Sequence, residues 1–162
     1  FNRLVLSSNL RRPISPTASR SSHDWSSRPM LIMNGKPRVA FVDDDPRLRS
    51  LIAEELSDQG VQPLACSTGQ ELLDCLDVEK VDLILLDLMM PVMDGMTCLR
   101  HLNQRVEKIP ALVVTSFNDE AKRQEAMDNG AIDYIIKPDL FDRLPELLDR
   151  YLNKPRNSNE MA

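Results

Sequence analysis

Several short apolar runs in this chain end on residues that could carry out chemistry on a phosphoryl group. Val39-Ala40-Phe41-Val42 stops at Asp43-Asp44-Asp45, and Val81-Asp82-Leu83-Ile84-Leu85-Leu86 stops at Asp87. Pro110-Ala111-Leu112-Val113-Val114 stops at Thr115-Ser116, and the run from Ile132 to Ile136 stops at Lys137-Pro138. If these ends meet, Asp43, Asp44 and Asp87 converge. Like charges about 4 Å apart repel by roughly 4 kcal/mol per pair at an effective dielectric of 20. A hard divalent cation relieves that repulsion. Mg²⁺ takes oxygen ligands and keeps several waters, so two or three carboxylates suit it. A soft metal would want His or Cys, and neither stands at these ends. With the cation present, one carboxylate can act as a nucleophile on phosphorus. Asp87 is the candidate, because it stands alone at the end of its run. The acyl phosphate so formed needs cationic partners, which Mg²⁺ and Lys137 would supply, and Thr115 offers a hydroxyl donor.

The strands and helices that would bring these residues together are readable in the same sequence. Short apolar runs bounded by polar turns indicate strands buried on both faces. Asp45 followed by Pro46 reads as an N-cap with proline in the first turn. Leu48, Leu51, Ile52 and Leu56 form a helical stripe that stops at Gly60. Val61 to Cys66 reads as a second strand, and Pro63 places it at an edge, where the missing N–H is tolerated. Thr68-x-x-Glu71 is a capping box for a helix with Leu72, Leu73 and Leu76 on one side. A third helix is expected from about Met96 to Val106, with Leu99 and Leu102 inward. A fourth is expected from an Asn118 cap to Asn129, closed by Gly130, and a fifth from about Leu140 to Leu152, where Pro145 predicts a late start or a kink. Five strands thus alternate with five helices over about 115 residues. That alternation predicts an α/β fold, a doubly wound (βα)5 parallel sheet. The strand order 2-1-3-4-5 satisfies Pro63 and makes the first and third strands neighbours at the ligand-binding switch point. No period of 20–50 residues repeats, so one domain is expected.

From Pro37 to about Leu152 the chain resembles the receiver domain of two-component response regulators. The matching segments are Val-Asp-Asp-Asp-Pro (42–46), Leu-Leu-Asp-Leu-Met-Met-Pro-Val-Met-Asp-Gly (85–95), Val-Val-Thr-Ser (113–116) and Asp-Tyr-Ile-Ile-Lys-Pro (133–138). The resemblance implies a flavodoxin-like fold with Asp87 as phospho-acceptor. It implies that Asp43 and Asp44 hold Mg²⁺ together with Asp87 and the Met89 backbone carbonyl. It makes Thr115 the switch hydroxyl, Lys137 the phosphate-binding lysine and Tyr134 the rotating switch aromatic. It also implies a cis Lys137–Pro138 bond. One departure is Asp139-Leu140-Phe141 after Lys137-Pro138, where the family often has Phe at once. That bears only on the start of the last helix.

Composition bounds the partners. The net charge of −5 divides into +5 over residues 1–36, with six Lys/Arg and one acid, and −10 over residues 37–162, with 14 Lys/Arg and 24 Asp/Glu. An acidic body repels phosphate backbones, so no direct nucleic-acid binding is expected. No apolar run approaches the ~20 residues that span a bilayer, so no membrane partner is expected either. Three cysteines without C-x-x-C spacing suggest neither a disulfide scaffold nor a zinc site, and point to a reduced, cytoplasmic setting. The first 29 residues hold eight serines and five arginines and start with Phe1. Residues 1–36 are expected to be a disordered or non-native arm, 37–153 the receiver domain and 154–162 a polar tail. With so short a tail, the expectation is a stand-alone switch without an output domain, and no enzyme beyond its own phosphorylation and dephosphorylation. Its expected partners are a histidine kinase or histidine phosphotransfer protein, and a downstream protein on the face of the fourth helix, fifth strand and fifth helix. A monomer or a phosphorylation-dependent dimer is expected. Two competing readings are a haloacid-dehalogenase-like phosphatase using Asp43-x-Asp45, which would want Thr or Val where Arg47 stands, and an acidic interaction module that is never phosphorylated. His101, on the third helix, reads as a solvated surface residue rather than a phosphohistidine.

Overall fold

A computed structural model describes residues 35–153. The expected arm over residues 1–36, except for its last two residues, and the expected tail over 154–162 lie outside the described residues. In chain order the elements are β1 (Arg38–Val42), α1 (Pro46–Asp58), β2 (Gln62–Cys66), α2 (Gly69–Leu76), β3 (Leu83–Leu86), α3 (Gly95–Asn103), β4 (Ala111–Thr115), α4 (Glu120–Asp128), β5 (Asp133–Ile136), a 3₁₀ turn (Lys137–Asp139) and α5 (Leu140–Leu152). The five strands form one parallel sheet in the order β2-β1-β3-β4-β5. This is the flavodoxin-like arrangement expected from the sequence. Pro63 sits on β2, at the edge, opposite Val39.

Side chains alternate across the sheet, so β1, β3, β4 and β5 each feed two cores. On one face Ala40, Val42, Ile84, Leu86 and Val113 pack with Leu72, Leu76, Leu99 and Leu102 of α2 and α3 and with Ala126 of α4. On the other, Val39, Phe41, Leu83, Leu85, Leu112 and Val114 pack with Ile52 and Leu56 of α1 and with Leu140, Leu144, Leu147 and Leu148 of α5. The central strands β3 and β4 are therefore apolar up to Thr115 at the end of β4, which is why they read as continuous runs rather than alternating ones.

Several expectations are corrected in detail. Leu51 is 52% exposed, because it lies about 100° around the helix from the Ile52–Leu56 line that meets the sheet. The cap of α4 is Asp119, not Asn118; its Oδ1 accepts from the N–H groups of Ala121 (2.8 Å) and Lys122 (3.2 Å). Helix α3 starts at Gly95, capped by Asp94, and ends at Asn103. Val106 is fully exposed and has no core contact to prolong it. Helix α5 begins at Leu140 and continues through Pro145. The Lys137–Pro138 bond is trans, not cis. The reason is local: Pro138 is accommodated early in the 3₁₀ turn, whose Leu140 N–H returns to the Lys137 carbonyl and leads straight into α5.

Candidate functional site at the carboxyl ends of the central strands

Strand register sets the site. Val42 is level with Leu86, so Asp43 and Asp87, the next residues of β1 and β3, leave the sheet side by side. Leu86 pairs with Val113 and Thr115 with Ile136, so Thr115 and Lys137 project slightly further out on the next two strands. The Asp87 N–H donates to the Val42 carbonyl at 3.1 Å, carrying the ladder one step past the strand ends.

Among the described residues, the buried polar or charged side chains are Asp43, Asp87 and Thr115. Buried charge is costly unless it is paired and hydrogen-bonded. Here Lys137 Nζ lies 2.7 Å from Asp43 Oδ2 and 3.1 Å from Asp87 Oδ2. The other oxygens are met by backbone: Asp45 N–H donates to Asp43 Oδ1 at 2.8 Å, and Met89 N–H to Asp87 Oδ1 at 3.1 Å. Burial raises the Asp87 carboxyl above its usual range, against the opposing pull of the Met89 N–H and Lys137. Burial alone would lower Lys137, but its hydrogen bonds and charge contacts with Asp43 and Asp87 outweigh it and hold the ammonium above its usual value.

Carboxylate oxygens of Asp43, Asp44 and Asp87 lie within 4.8 Å of one another, and Asp44 is exposed. The set is all oxygen and anionic, with one face open to water, which fits Mg²⁺ and no soft metal. Asp45 is employed elsewhere: its side chain caps α1 by accepting from Arg47 N–H at 2.9 Å. The Asp43-x-Asp45 pair that a dehalogenase-like phosphatase would use is thus split between two tasks. His101 is exposed on α3, as expected for a surface residue.

The Thr115 hydroxyl accepts from the Phe117 N–H at 3.3 Å, inside its own loop. Tyr134 is buried, with 2% exposure, and its hydroxyl donates to the Phe117 carbonyl at 2.9 Å. Thr115 and Tyr134 therefore hold the same residue from two sides.

Three contributors escaped the sequence reading. Arg49 reaches back from α1 and donates to the Asp43 carbonyl at 2.6 Å. Nothing in the sequence separates it from any other helix arginine. Gly95 lies so close to the acceptor loop that a Cβ there would fall 2.2 Å from the Asp87 carbonyl oxygen and 2.5 Å from Leu88 Cα. Its signal was present, as the glycine ending the 85–95 segment, but the contact it permits was not. Arg123 places its guanidinium 4.7 Å from the centre of the Tyr134 ring.

The fold and the site together define a flavodoxin-like domain with an acidic, lysine-bridged centre at its switch point. A family model, the response regulator receiver domain, matches residues 39–149, and the chain belongs to that family, the signalling domains of two-component systems. It is 36% identical over 123 residues to the transcriptional regulatory protein AruR of Pseudomonas aeruginosa, covering 70% of this chain and 50% of that protein. It is 32% identical over 124 residues to the DNA-binding transcriptional regulator NtrC of Klebsiella pneumoniae, covering 73% and 26%. The BeF3-activated N-terminal receiver domain of Klebsiella pneumoniae RstA superposes with a TM-score of 0.68 at 32% identity, covering 72% of this chain and 99% of that one. The chain thus spans half or less of the length of these two curated relatives. Among the described residues no helix is long and apolar enough to cross a membrane.

Proposed function

We propose that this receiver domain takes a phosphoryl group onto Asp87 from the phosphohistidine of a histidine kinase or histidine phosphotransfer protein. The observation that carries this is the Asp87 carboxylate itself: 3% exposed, paired with Lys137 and within reach of two further carboxylates. Burial makes its oxygen more basic, while Lys137 and the Met89 N–H keep it oriented. In the transfer an Asp87 oxygen bonds to phosphorus as the P–N bond breaks, and the bond's electron pair stays on the imidazole nitrogen. Lys137 then stands beside the new acyl phosphate and meets its charge. Asp43, Asp44, Asp87 and the Met89 carbonyl would hold Mg²⁺, which when bound neutralises charge on the transferring oxygens.

Thr115 and Tyr134 carry the signal onward in this reading. A phosphoryl oxygen on Asp87 draws the Thr115 hydroxyl toward it, and Tyr134 is favoured in its inward place through their shared neighbour Phe117. The face of α4, β5 and α5 is where a downstream protein would read this shift of a pre-existing equilibrium.

The test supplies a small phosphodonor with Mg²⁺ and resolves phosphoprotein on Phos-tag gels. Wild type is expected to give one shifted band, Asp87→Asn none. An undiminished band in Asp87→Asn would remove Asp87 from the reaction.

A further inference from the structure

Helix α4 is held to the sheet by little apolar contact. Its sequence, Glu-Ala-Lys-Arg-Gln-Glu-Ala-Met-Asp, buries one residue, Ala126. What it offers the sheet besides is Arg123, whose guanidinium carbon lies 4.7 Å from the centre of the Tyr134 ring. A cation at that distance faces the negative π surface, and partial desolvation strengthens the attraction. The Arg123 side chain is 36% exposed, and its Nε is 3.6 Å from Glu120 Oε2, an ion pair that steers the guanidinium over the ring. On its other side the Tyr134 hydroxyl holds the Phe117 carbonyl, in the loop that leads out from Thr115. One aromatic ring thus ties α4 to the switch loop. If the ring swings out, the stack and the hydroxyl bond are lost together.

We propose that Arg123 is a positioning residue that holds Tyr134 inward and so sets how readily the Thr115–Tyr134 switch engages. This rests on the role of Thr115 and Tyr134 given under Proposed function. A cation–π contact of this partly exposed kind favours the inward ring by about two- to five-fold. Linkage makes the effect reciprocal: whatever the inward ring adds to phosphoryl affinity at Asp87, a phosphoryl group returns to the ring. Arg123 therefore acts on the acceptor without touching it.

The test uses the full chain with Mg²⁺ and beryllofluoride as a non-covalent phosphoryl stand-in. Tyrosine is ¹³C-labelled, and with two tyrosines in the chain, Tyr134 and Tyr151, the ring signals are simple to assign. Arg123→Met is expected to shift the Tyr134 ring resonances and weaken beryllofluoride binding about two- to five-fold. Arg123→Lys, which keeps the cation, should recover part of both. In a Tyr134→Leu background, Arg123→Met should have no further effect, because the partner of the interaction is gone. Unchanged ring signals and affinity in Arg123→Met would overturn the proposal. So would an equal loss in the Tyr134→Leu background, which would assign the effect to net charge instead. A wild-type chain that binds no beryllofluoride would sink the acceptor reading, and the ring signals would still decide for or against Arg123.

Discussion

Replacing Lys137 by Met tests the electrostatic centre most directly. The substitution keeps an unbranched side chain, one atom shorter, and removes its charge. At an effective dielectric of 20, charges 2.7 and 3.1 Å apart attract by roughly 6 and 5 kcal/mol. The mutant loses both attractions and keeps the repulsion between Asp43 and Asp87, whose oxygens lie within 4.8 Å, at least about 3 kcal/mol on the same scale. Against this stands the desolvation of the Lys137 ammonium, several kcal/mol that the mutant no longer bears. Breaking a buried pair of this kind leaves a net cost of about 3 kcal/mol. Much of that cost is stranded carboxylate rather than lost lysine.

Four results in urea unfolding follow from that origin. In EDTA at pH 7, Lys137→Met should be about 3 kcal/mol less stable than wild type. Mg²⁺ should restore part of the loss, because it binds the folded carboxylates and not the unfolded chain. Adding Asp87→Asn should restore part of it without metal. In wild type, Asp87→Asn should by itself be neutral or stabilising at pH 7, because burial raises the Asp87 carboxyl on folding. A raised carboxyl binds more protons in the folded state, so its contribution is fully favourable below the usual value of 3.8 and is lost as pH rises through the folded value. A Lys137→Met cost under about 1 kcal/mol, or one that neither Mg²⁺ nor Asp87→Asn reduces, would refute the reasoning.

Two further predictions rest on the acceptor loop. Met89 and Phe117, two residues after Asp87 and Thr115, are 53% and 42% exposed at the mouth of the site, and neither can hydrogen-bond a water into line for hydrolysis. Self-dephosphorylation should therefore be slow, with a lifetime of about minutes or longer. Met89→Asn with Phe117→Glu should shorten it; phosphate release after donor removal checks this, and a wild-type half-life of seconds would contradict it. Val92, fully exposed, is held at φ 70°, where a β-branched residue is strained. Val92→Asn should raise stability by about 1 kcal/mol and the Tm by roughly 3–5 °C, and an unchanged melting curve would rule the strain out.

The sheet and the list of candidate site residues are both legible in the chain. A strand buried on both faces must be apolar throughout, so Val39–Val42, Leu83–Leu86 and Ala111–Val114 were visible as runs, and the polar residues that end them were visible as site candidates. Pro63 marked the edge because a central ladder needs its missing N–H. Tertiary structure decided the rest, since it depends on distances across elements that no local pattern encodes. Which nitrogen would bridge the paired aspartates was settled by the register that sets Lys137 beside both. Leu51 and Leu56 read alike in the chain, but α1 turns one to water and the other to the sheet. Gly95 read as a motif letter until its contact with the Asp87 carbonyl gave it a steric reason. Arg49 and Arg123 carry no signal in the sequence, because their contacts exist only once folding carries one guanidinium to the Asp43 carbonyl and the other over the Tyr134 ring.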